Sequence, residues 1–445
     1  MRILFLTQYY PPETGAAQNR LSDLARRLTK AGHLVMVLTA LPSYPKGEIY
    51  PGYRGRFIVN EDDSGVHVVR TWVYATKKKS FVARILNYLS FAVLSVVVGW
   101  RVVQNMDIVM VESPPLFLGF SGYLLSRLKH ARFILNVSDL WPESAVVLGV
   151  LKNEYLIKSA TRAEEWLYRH ASMVIGQTKG IVRSIRNRCA TPTHLLTNGV
   201  APEFLDQVAC ARKAREQLRQ KFNFGEKFIV AYTGVHGLAQ GLDTLLRSAE
   251  LLTEQKAIRF CFFGDGPDKP QLQSVALQRG IENVTFYPPL PAEQMVELLA
   301  AVDVSVVPLK RNDLFKGALP SKLFEALGAG VPVIAALDGE AKELIAQSES
   351  GLLVEPENPE DMSQKILRLL RDPKLCTRLG ENGRAYVRVH YNREEIAKRL
   401  ECLIVVAVSP ELAKSIARID ESSADADACH LARESSMCNL EARKE

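Results

Sequence analysis

Apolar residues fall along this chain in short continuous runs that alternate with segments of helical spacing. The runs at residues 2–7, 34–39, 107–112 and 132–137 have the length and the β-branched content of buried strands. Between the first two runs, Leu21, Leu24 and Leu28 lie on one helix face. Continuous apolar strands separated by helices predict a parallel sheet that helices cover on both faces.

The same pattern begins again in the second half of the chain. Strands are predicted there at residues 227–233, 258–263, 284–287, 304–307, 331–335 and 351–354. We therefore predict an α/β protein of two doubly wound, Rossmann-like domains. The predicted bounds are 1–205 and 206–392. Ligands of such sheets bind beyond the carboxyl ends of the strands, so the expected site is the cleft between the two domains.

Composition and charge narrow the protein class. The 445 residues exceed the usual size of one hydrophobic core. With 47% hydrophobic and 24% charged residues, a disordered, collagenous or polytopic membrane protein is excluded. The net charge of +7 suits an anionic ligand, an acidic lipid surface or nucleic acid. Seven cysteines without CxxC spacing and no secretory signal favour a reducing cytosol. Residues 409–445 are poor in large apolar side chains, which predicts a weakly ordered tail.

One apolar segment allows two interpretations. Residues 85–100 carry no charge and follow Lys77, Lys78 and Lys79. The segment is shorter than the about 20 apolar residues of a spanning helix. It is either a buried helix of a large domain or a helix that dips into a membrane surface, where the lysines would meet anionic head groups.

A glycine-rich loop follows the strand at residues 227–233 directly. Gly234, Gly237 and Gly241 would let the backbone approach a phosphate where a helix begins, although an ordinary strand-to-helix turn shows the same glycines. A second turn, with Gly264 and Gly266, follows the next strand and is a weaker signal.

Lys322 and Glu325 form the third feature. They are three residues apart near the start of a predicted helix, so they lie on one face. The lysine could meet a diphosphate, and the carboxylate could accept two hydrogen bonds from a ribose diol. A surface ion pair is the alternative, but their apolar neighbours would make idle charges costly.

Taken together, these segments resemble the retaining GT-B glycosyltransferases of family four over about residues 1–408. The resemblance implies a nucleotide-sugar on the C-terminal domain, with Glu325 on the ribose and Lys322 on the diphosphate. The family signature is a Glu, seven residues and a second Glu, and Gly317 occupies the first position here. His236 and Gln240 stand near the places of the family's Arg and Lys, so phosphate neutralisation would rest on Lys322, backbone amides and Lys316.

The segments 139–144, 237–243 and 315–322 look like the WbuB-type branch of that family. This branch implies transfer of an amino- or deoxy-sugar to a polyprenyl-diphosphate-linked saccharide in O-antigen, capsule or exopolysaccharide assembly. The donor-site candidates are Gly234, His236, Gly237, Gln240, Gly264, Gly266, Lys316, Gly317, Ala318, Ser321 and Glu325.

The resemblance also assigns roles in the N-terminal, acceptor-side domain. Gly15 is the glycine expected near the donor diphosphate. Asp139 stands in the place of a common His-Asp pair, with Ser138 replacing the His, and would orient acceptor or sugar hydroxyls together with Glu143. Asp139 could instead cap a helix. A final helix at residues 393–408 is expected to return to this domain.

The implied mechanism is front-face attack in which the leaving diphosphate helps to deprotonate the acceptor. The expected catalytic residues are Lys322, Asp139 and Glu143, with UDP as the nucleotide and neither a metal nor a cofactor. A lipid-linked acceptor implies peripheral attachment to the inner face of the cytoplasmic membrane, through residues 77–79, 85–100 and 114–118. Nucleic-acid binding is not expected, because the basic residues are dispersed.

Three alternative functions are compatible with parts of this sequence. A Rossmann oxidoreductase would need GxGxxG after the first strand and an acidic residue after the second, where Thr39 and Ala40 stand. A sugar-nucleotide 2-epimerase shares the two-domain fold. An inactive subunit that binds a nucleotide-sugar for an assembly partner would explain Gly317.

Overall fold

A computed structural model describes residues 1–78, 80–147, 151 and 153–409. The chain divides into two compact units. The first comprises residues 1–197 and the chain from residue 394 onward, and the second comprises residues 198–393. Residues 410–445 of the predicted tail lie outside the described residues.

The first unit alternates strands and helices over residues 1–197. Its strands are β1 (Arg2–Leu6), β2 (Leu34–Ala40), β3 (Ile58–Asp63), β4 (Val66–Thr71), β5 (Ile108–Ser113), β6 (Arg132–Val137), β7 (Met173–Gly176) and β8 (Thr193–Leu195). Its helices are α1 (Ala16–Lys30), α2 (Phe81–Val102), α3 (Leu116–Leu128), α4 (Glu143–Val147), α5 (Glu154–His170) and α6 (Lys179–Arg186).

The eight strands form one sheet in the order β3-β4-β2-β1-β5-β6-β7-β8. All neighbours are parallel except β3 and β4, which form an antiparallel pair at the edge. Ile3 of β1 lies level with Val35 on β2 and with Ile108 on β5, so the first strand is central. These side chains are buried, as a parallel sheet with helices on both faces requires.

The second unit has a six-stranded, wholly parallel sheet in the order β11-β10-β9-β12-β13-β14. Its strands are β9 (Phe228–Thr233), β10 (Ile258–Phe263), β11 (Val284–Tyr287), β12 (Val304–Pro308), β13 (Val333–Ala336) and β14 (Gly351–Val354). Its helices are α7 (Pro202–Arg212), α8 (Arg215–Lys221), α9 (Leu242–Leu251), α10 (Lys269–Gln278), α11 (Ala292–Ala301), α12 (Ser321–Gly328), α13 (Glu340–Ser348), α14 (Pro359–Arg371) and α15 (Pro373–His390).

The boundary between the units lies after Thr197, eight residues before the predicted one at 205. Val200 pairs with Asn392 in a parallel bridge, and α7 packs on α11, so the chain from residue 198 belongs to the second unit. The last described helix, α16 (Arg393–Val408), packs into the core of the first unit through Ile396, Leu400 and Ile404.

Candidate active site

Lys322 is held at the carboxyl edge of the second sheet. It lies in the first turn of α12, and its Nζ donates to Tyr232 Oη at 2.7 Å and to Gln240 Oε1 at 3.0 Å. The same ammonium lies 4.1 Å from the centroid of the Tyr232 ring. Burial lowers the pKa of Lys322 to about 7. Both hydrogen-bond partners of the lysine are neutral, and the nearby Glu325 carboxylate only partly opposes the effect of burial. An anionic ligand would favour the charged form of Lys322.

Tyr232 fixes the position of this amine. The phenol donates to the backbone carbonyl of Val235 at 2.6 Å, which leaves its oxygen lone pairs for Lys322. Burial raises the pKa of Tyr232, so the phenol keeps its proton. The sequence prediction did not include Tyr232, although it stands two residues before Gly234.

The glycines of the two loops serve different purposes. A Cβ at Gly234, whose φ is +130°, would lie 3.1 Å from the Lys322 ammonium, so this glycine keeps the space beside the amine open. A Cβ at Gly264 would lie 1.8 Å from the carbonyl oxygen of Gly234, and one at Gly266 would lie 2.3 Å from that of His236. Gly264 and Gly266 are thus accounted for by the packing of one loop against the other.

His236 cannot replace a cationic residue at neutral pH. Its ring is buried, and burial together with the charges of Lys269 and Lys322 lowers the pKa of His236 to about 4. Gln240, at the end of the short turn Leu238–Gln240, is the member of this loop that contacts Lys322. Gly237 has an extended backbone, with φ at −116°.

Glu325 lies one turn after Lys322 on α12 and is half-buried. Burial raises the pKa of Glu325, while Arg393 and Lys322 oppose that shift. Within the part of the chain that the structure describes, no hydrogen bond or ion pair reaches its carboxylate. This carboxylate can therefore accept hydrogen bonds from hydroxyl groups of a ligand.

The segment before α12 forms the turn Asp313–Gly317. Lys316 is exposed and pairs with the exposed Asp313 at 2.6 Å, and such a surface pair is weak. The backbone at Lys316 packs against Gly339, where a Cβ would lie 1.9 Å from the Lys316 carbonyl oxygen. Gly317 ends this turn, Ala318 follows it, and Ser321 is the first residue of α12.

In the first unit, Asp139 and Glu143 follow β6 and have protein partners. Burial raises the pKa of Asp139 to about 6, opposed by hydrogen bonds from the Ser144 side chain and the Leu140 backbone. Since α4 begins at Glu143, Asp139 is not adjacent to the helix start that it could have capped. Glu143 pairs with Arg188 at 3.2 Å, and Arg188 reaches Glu164 at 2.8 Å.

A buried polar network beneath this turn was not predicted from the sequence. Arg20 of α1 pairs with Glu112 of β5 at 2.7 Å, and both side chains are 5% exposed. Ser138 donates to Glu112 and accepts from Gln177, and Asn136 donates to Glu112. Ser138 therefore anchors the turn that carries Asp139.

The first loop is held by a buried carboxylate. Glu13 accepts from the backbone N–H groups of Ser43 and Tyr44, each at 2.7 Å, and burial raises its pKa to about 7. Gly15 immediately precedes α1, which has no capping side chain. The first N–H groups of α1 thus form the kind of helix start at which anions bind.

Two helices of the first unit expose apolar stripes. On α2, Val82, Leu86, Leu89, Val93, Val97 and Trp100 are all exposed and recur every three or four residues, and so do Phe120, Leu124 and Leu128 on α3. By length and composition, residues 82–102 are the one described helix that could cross a membrane. About a third of its apolar stretch is buried within the protein. Residues 114–118 were expected to contribute to a membrane-docking face, and two of them, Leu116 and Leu118, are buried.

The described residues contain no group of three or more His, Cys, Asp and Glu side chains that could hold a metal ion.

Comparison with known protein families shows which kind of enzyme carries this site. The "Glycosyl transferases group 1" family matches residues 214–386, and the "Glycosyl transferase 4-like domain" matches residues 15–199. The chain is a glycosyltransferase. WcaI of Escherichia coli K12, named as a glycosyl transferase of colanic acid biosynthesis, is 28% identical over 84% of this chain and 93% of its own length.

Solved structures of similar architecture show that this glycosyltransferase has the GT-B fold. Sucrose-phosphate synthase of Thermosynechococcus elongatus superposes with a TM-score of 0.68 at 20% identity, over 91% of this chain and 98% of its own. Anabaena HepE, solved in complex with UDP-glucose, has a TM-score of 0.66 at 17% identity, over 90% and 98%. The predicted α/β fold of two Rossmann-like domains is confirmed.

Proposed function

We propose that this glycosyltransferase moves a sugar from a UDP-linked donor to a polyprenyl-diphosphate-linked saccharide, with retention of the anomeric configuration. The product would belong to a cell-surface polysaccharide. Support for the pathway comes from WcaI, whose name refers to colanic acid biosynthesis, and support for UDP comes from HepE. The transferred sugar is proposed to be an amino- or deoxy-sugar.

The main support for the proposed donor site is the surroundings of the Lys322 ammonium. Its ammonium lies against Tyr232 and Gln240, beside the space that Gly234 leaves open, and it has no acidic partner at hydrogen-bond distance in the described chain. A diphosphate would supply the missing negative charge. Glu325, on the same helix, would accept from the ribose hydroxyls.

The proposed chemistry needs charge stabilisation more than a protein nucleophile. As the bond between the sugar and the diphosphate breaks, negative charge grows on the leaving phosphate, and Lys322 together with the loop amides would stabilise it. The departing phosphate oxygen would take the proton of the acceptor hydroxyl. Asp139 and Glu143 would orient the acceptor, and neither a metal nor a cofactor is proposed to take part.

The calorimetric test is a titration of UDP, GDP and NAD into wild type and Glu325→Ala, with EDTA present. We expect UDP binding that weakens in Glu325→Ala and is unchanged in Glu343→Ala, an exposed carboxylate on α13. Binding of GDP in place of UDP would reassign the nucleotide. NAD binding alone would favour an oxidoreductase, and the absence of any nucleotide binding would contradict the proposal.

We also propose peripheral attachment to the inner face of the cytoplasmic membrane. The exposed stripe on α2 supports it, as does the charge around that helix. Residues 46–58 and 72–101 hold eight Lys and Arg and one acidic residue, a net charge equal to the +7 of the whole chain. Such a basic and apolar face suits anionic lipid.

Sedimentation with phosphatidylglycerol vesicles at low salt tests this attachment. We expect the protein to bind, to be released at high salt, and to bind less after Val97→Gln. Leu277→Gln is the matched control, because Leu277 is 84% exposed on α10 of the other unit. A wild-type protein that ignores these vesicles would contradict the membrane proposal.

A further inference from the structure

Two adjoining pockets lie on the first unit, beside α2. The first is an apolar groove of about 520 Å³, lined chiefly by Phe57, Trp72, Tyr74, Leu86, Leu89 and Val93. Its size falls within the range of small-molecule sites. Phe57, Trp72 and Val93 are 54%, 37% and 61% exposed, so the groove is open to a ligand.

The second pocket, of about 640 Å³, shares Trp72 and Tyr74 with the groove, but its lining mixes polar and apolar groups. Arg54, Lys77 and Glu48 contribute to it. Lys77 Nζ pairs with Glu48 at 2.7 Å. Within the described residues, the Arg54 side chain makes a single hydrogen bond, from Nε to the Ile49 carbonyl at 3.3 Å. Arg54 therefore keeps its terminal nitrogens for an anion.

The wall between the two pockets is held in place by hydrogen bonds. Tyr74 N donates to Ser90 Oγ at 2.9 Å, and Asn87 Nδ2 donates to the Tyr74 carbonyl at 2.7 Å. Asn87 in turn accepts from Gln8, which follows β1, at 2.6 Å. Gly47 closes the polar pocket, because a Cβ there would lie 2.3 Å from the Thr76 carbonyl oxygen.

We propose that these pockets form one binding site for a prenyl diphosphate group. The apolar groove would hold the isoprene units nearest the head group, and Arg54 and Lys77 would hold the diphosphate. The lining residues belong to segments 46–58 and 72–101, whose sequence contains eight basic residues and one acidic residue. This positive charge complements the anion. The inference rests on the proposed function, since it says where the lipid carrier of that acceptor binds.

A flat bilayer contact would not need this arrangement. The α2 stripe continues past the groove to Val97 and Trp100, which are exposed but do not line it. A bilayer would bury the whole stripe, whereas a single prenyl chain would use the groove residues alone. Val93 and Val97 lie one turn apart on the same helix and therefore separate the two cases.

The test is calorimetric titration of farnesyl diphosphate, below its micelle concentration, into the full chain without vesicles. We expect the affinity for farnesyl diphosphate to fall about fivefold or more in Val93→Gln and to be unchanged in Val97→Gln. Only the first substitution places a polar amide in the groove. Farnesol and inorganic diphosphate should each bind more weakly than farnesyl diphosphate.

A second set of variants tests the diphosphate end of the site by removing either a positive or a negative charge from the pocket. Arg54→Gln should weaken farnesyl diphosphate binding, while Glu48→Gln should tighten it by releasing Lys77. Lys78→Gln is the control, because Lys78 is exposed and does not line the pocket. Circular dichroism would verify that each variant is folded.

The outcomes separate this site from the proposed function. No binding of farnesyl diphosphate, or equal loss in Val93→Gln and Val97→Gln, would overturn the site even if the protein transfers sugar to lipid-linked acceptor in membranes. Binding with the predicted variant pattern would support the site even if UDP fails to bind in the donor test.

Discussion

The second unit leaves its candidate groups open to a ligand, whereas the first unit pairs most of its buried charges internally. Around Lys322 the partners are a phenol and an amide, and the carboxylate of Glu325 has no hydrogen bond within the described chain. In the first unit, Arg20 is neutralised by Glu112, and Arg188 by Glu143 and Glu164. Lys322 and Glu325 of the second unit are therefore suited to binding, whereas the buried pairs around Arg20 and Arg188 in the first unit hold the turn that carries Asp139.

The largest expected effect concerns the buried pair in the first unit. Glu112→Ala leaves Arg20 buried without its partner, which should lower the free energy of unfolding by about 3–5 kcal/mol in chemical denaturation. Glu165→Ala, which removes an i,i+4 ion pair with the half-exposed Arg169, should cost at most about 0.5 kcal/mol. Equal losses in the two variants would show that the buried pair has no special role.

Lys322→Ala should lower the rate of UDP release in the presence of lipid-linked acceptor by about 100-fold to 1000-fold, because the leaving phosphate loses its cation. Lys365→Ala, on α14 and paired with Asp361, should keep the wild-type rate. If Lys322→Ala turned over normally, the charge of the second unit would not serve catalysis.

Glu325→Ala should weaken UDP binding by about tenfold to 100-fold, as expected for hydrogen bonds to a charged acceptor. The measurement is the dissociation constant from calorimetry. A deoxyuridine diphosphate ligand sharpens the assignment, since it lacks the 2′-hydroxyl and should lose less affinity on going from wild type to the variant. Equal losses for both ligands would argue against the ribose contact.

The first unit should set the acidic limb of the pH profile. The pKa of Asp139 is raised to about 6, so its carboxylate becomes protonated as the pH falls below that value. If the carboxylate orients the acceptor, the transfer rate should fall by up to about tenfold per pH unit below pH 6. Asp139→Asn should be slower and should lack this limb; an unchanged limb would place the titrating group elsewhere.

Local pattern was enough to predict the strands that are continuous and apolar, which include all six of the second sheet. It missed β3, in which four polar residues, Asn60 to Asp63, follow two apolar ones. It also missed β4, in which His67 and Arg70 interrupt the apolar residues. Strands β7 and β8 were also missed, and β8 spans only three residues. The helix predicted at 85–100 is longer, since Ser80 caps it and it continues to Val102.

Some residues of the candidate site could be predicted from local sequence, and others could not. Lys322, Glu325 and the glycines could be found because a turn and a helix start have local signatures. The Arg20–Glu112 pair joins residues 92 positions apart and has none. Lys316 stays a predicted ligand contact, and in the structure it forms a surface ion pair with Asp313, three residues earlier.

Proton uptake on UDP binding tests the central claim, that Lys322 meets the diphosphate. The pKa of free Lys322 is about 7, so at pH 8 most of the amine is neutral, and a bound diphosphate would raise that pKa. Titrations at pH 8 in buffers of different ionisation enthalpy should show uptake of about one proton, and affinity should fall as the pH rises above 7. Lys322→Arg, which stays charged, should take up none. Uptake that is zero in wild type, or the same in Lys322→Arg, would contradict the account.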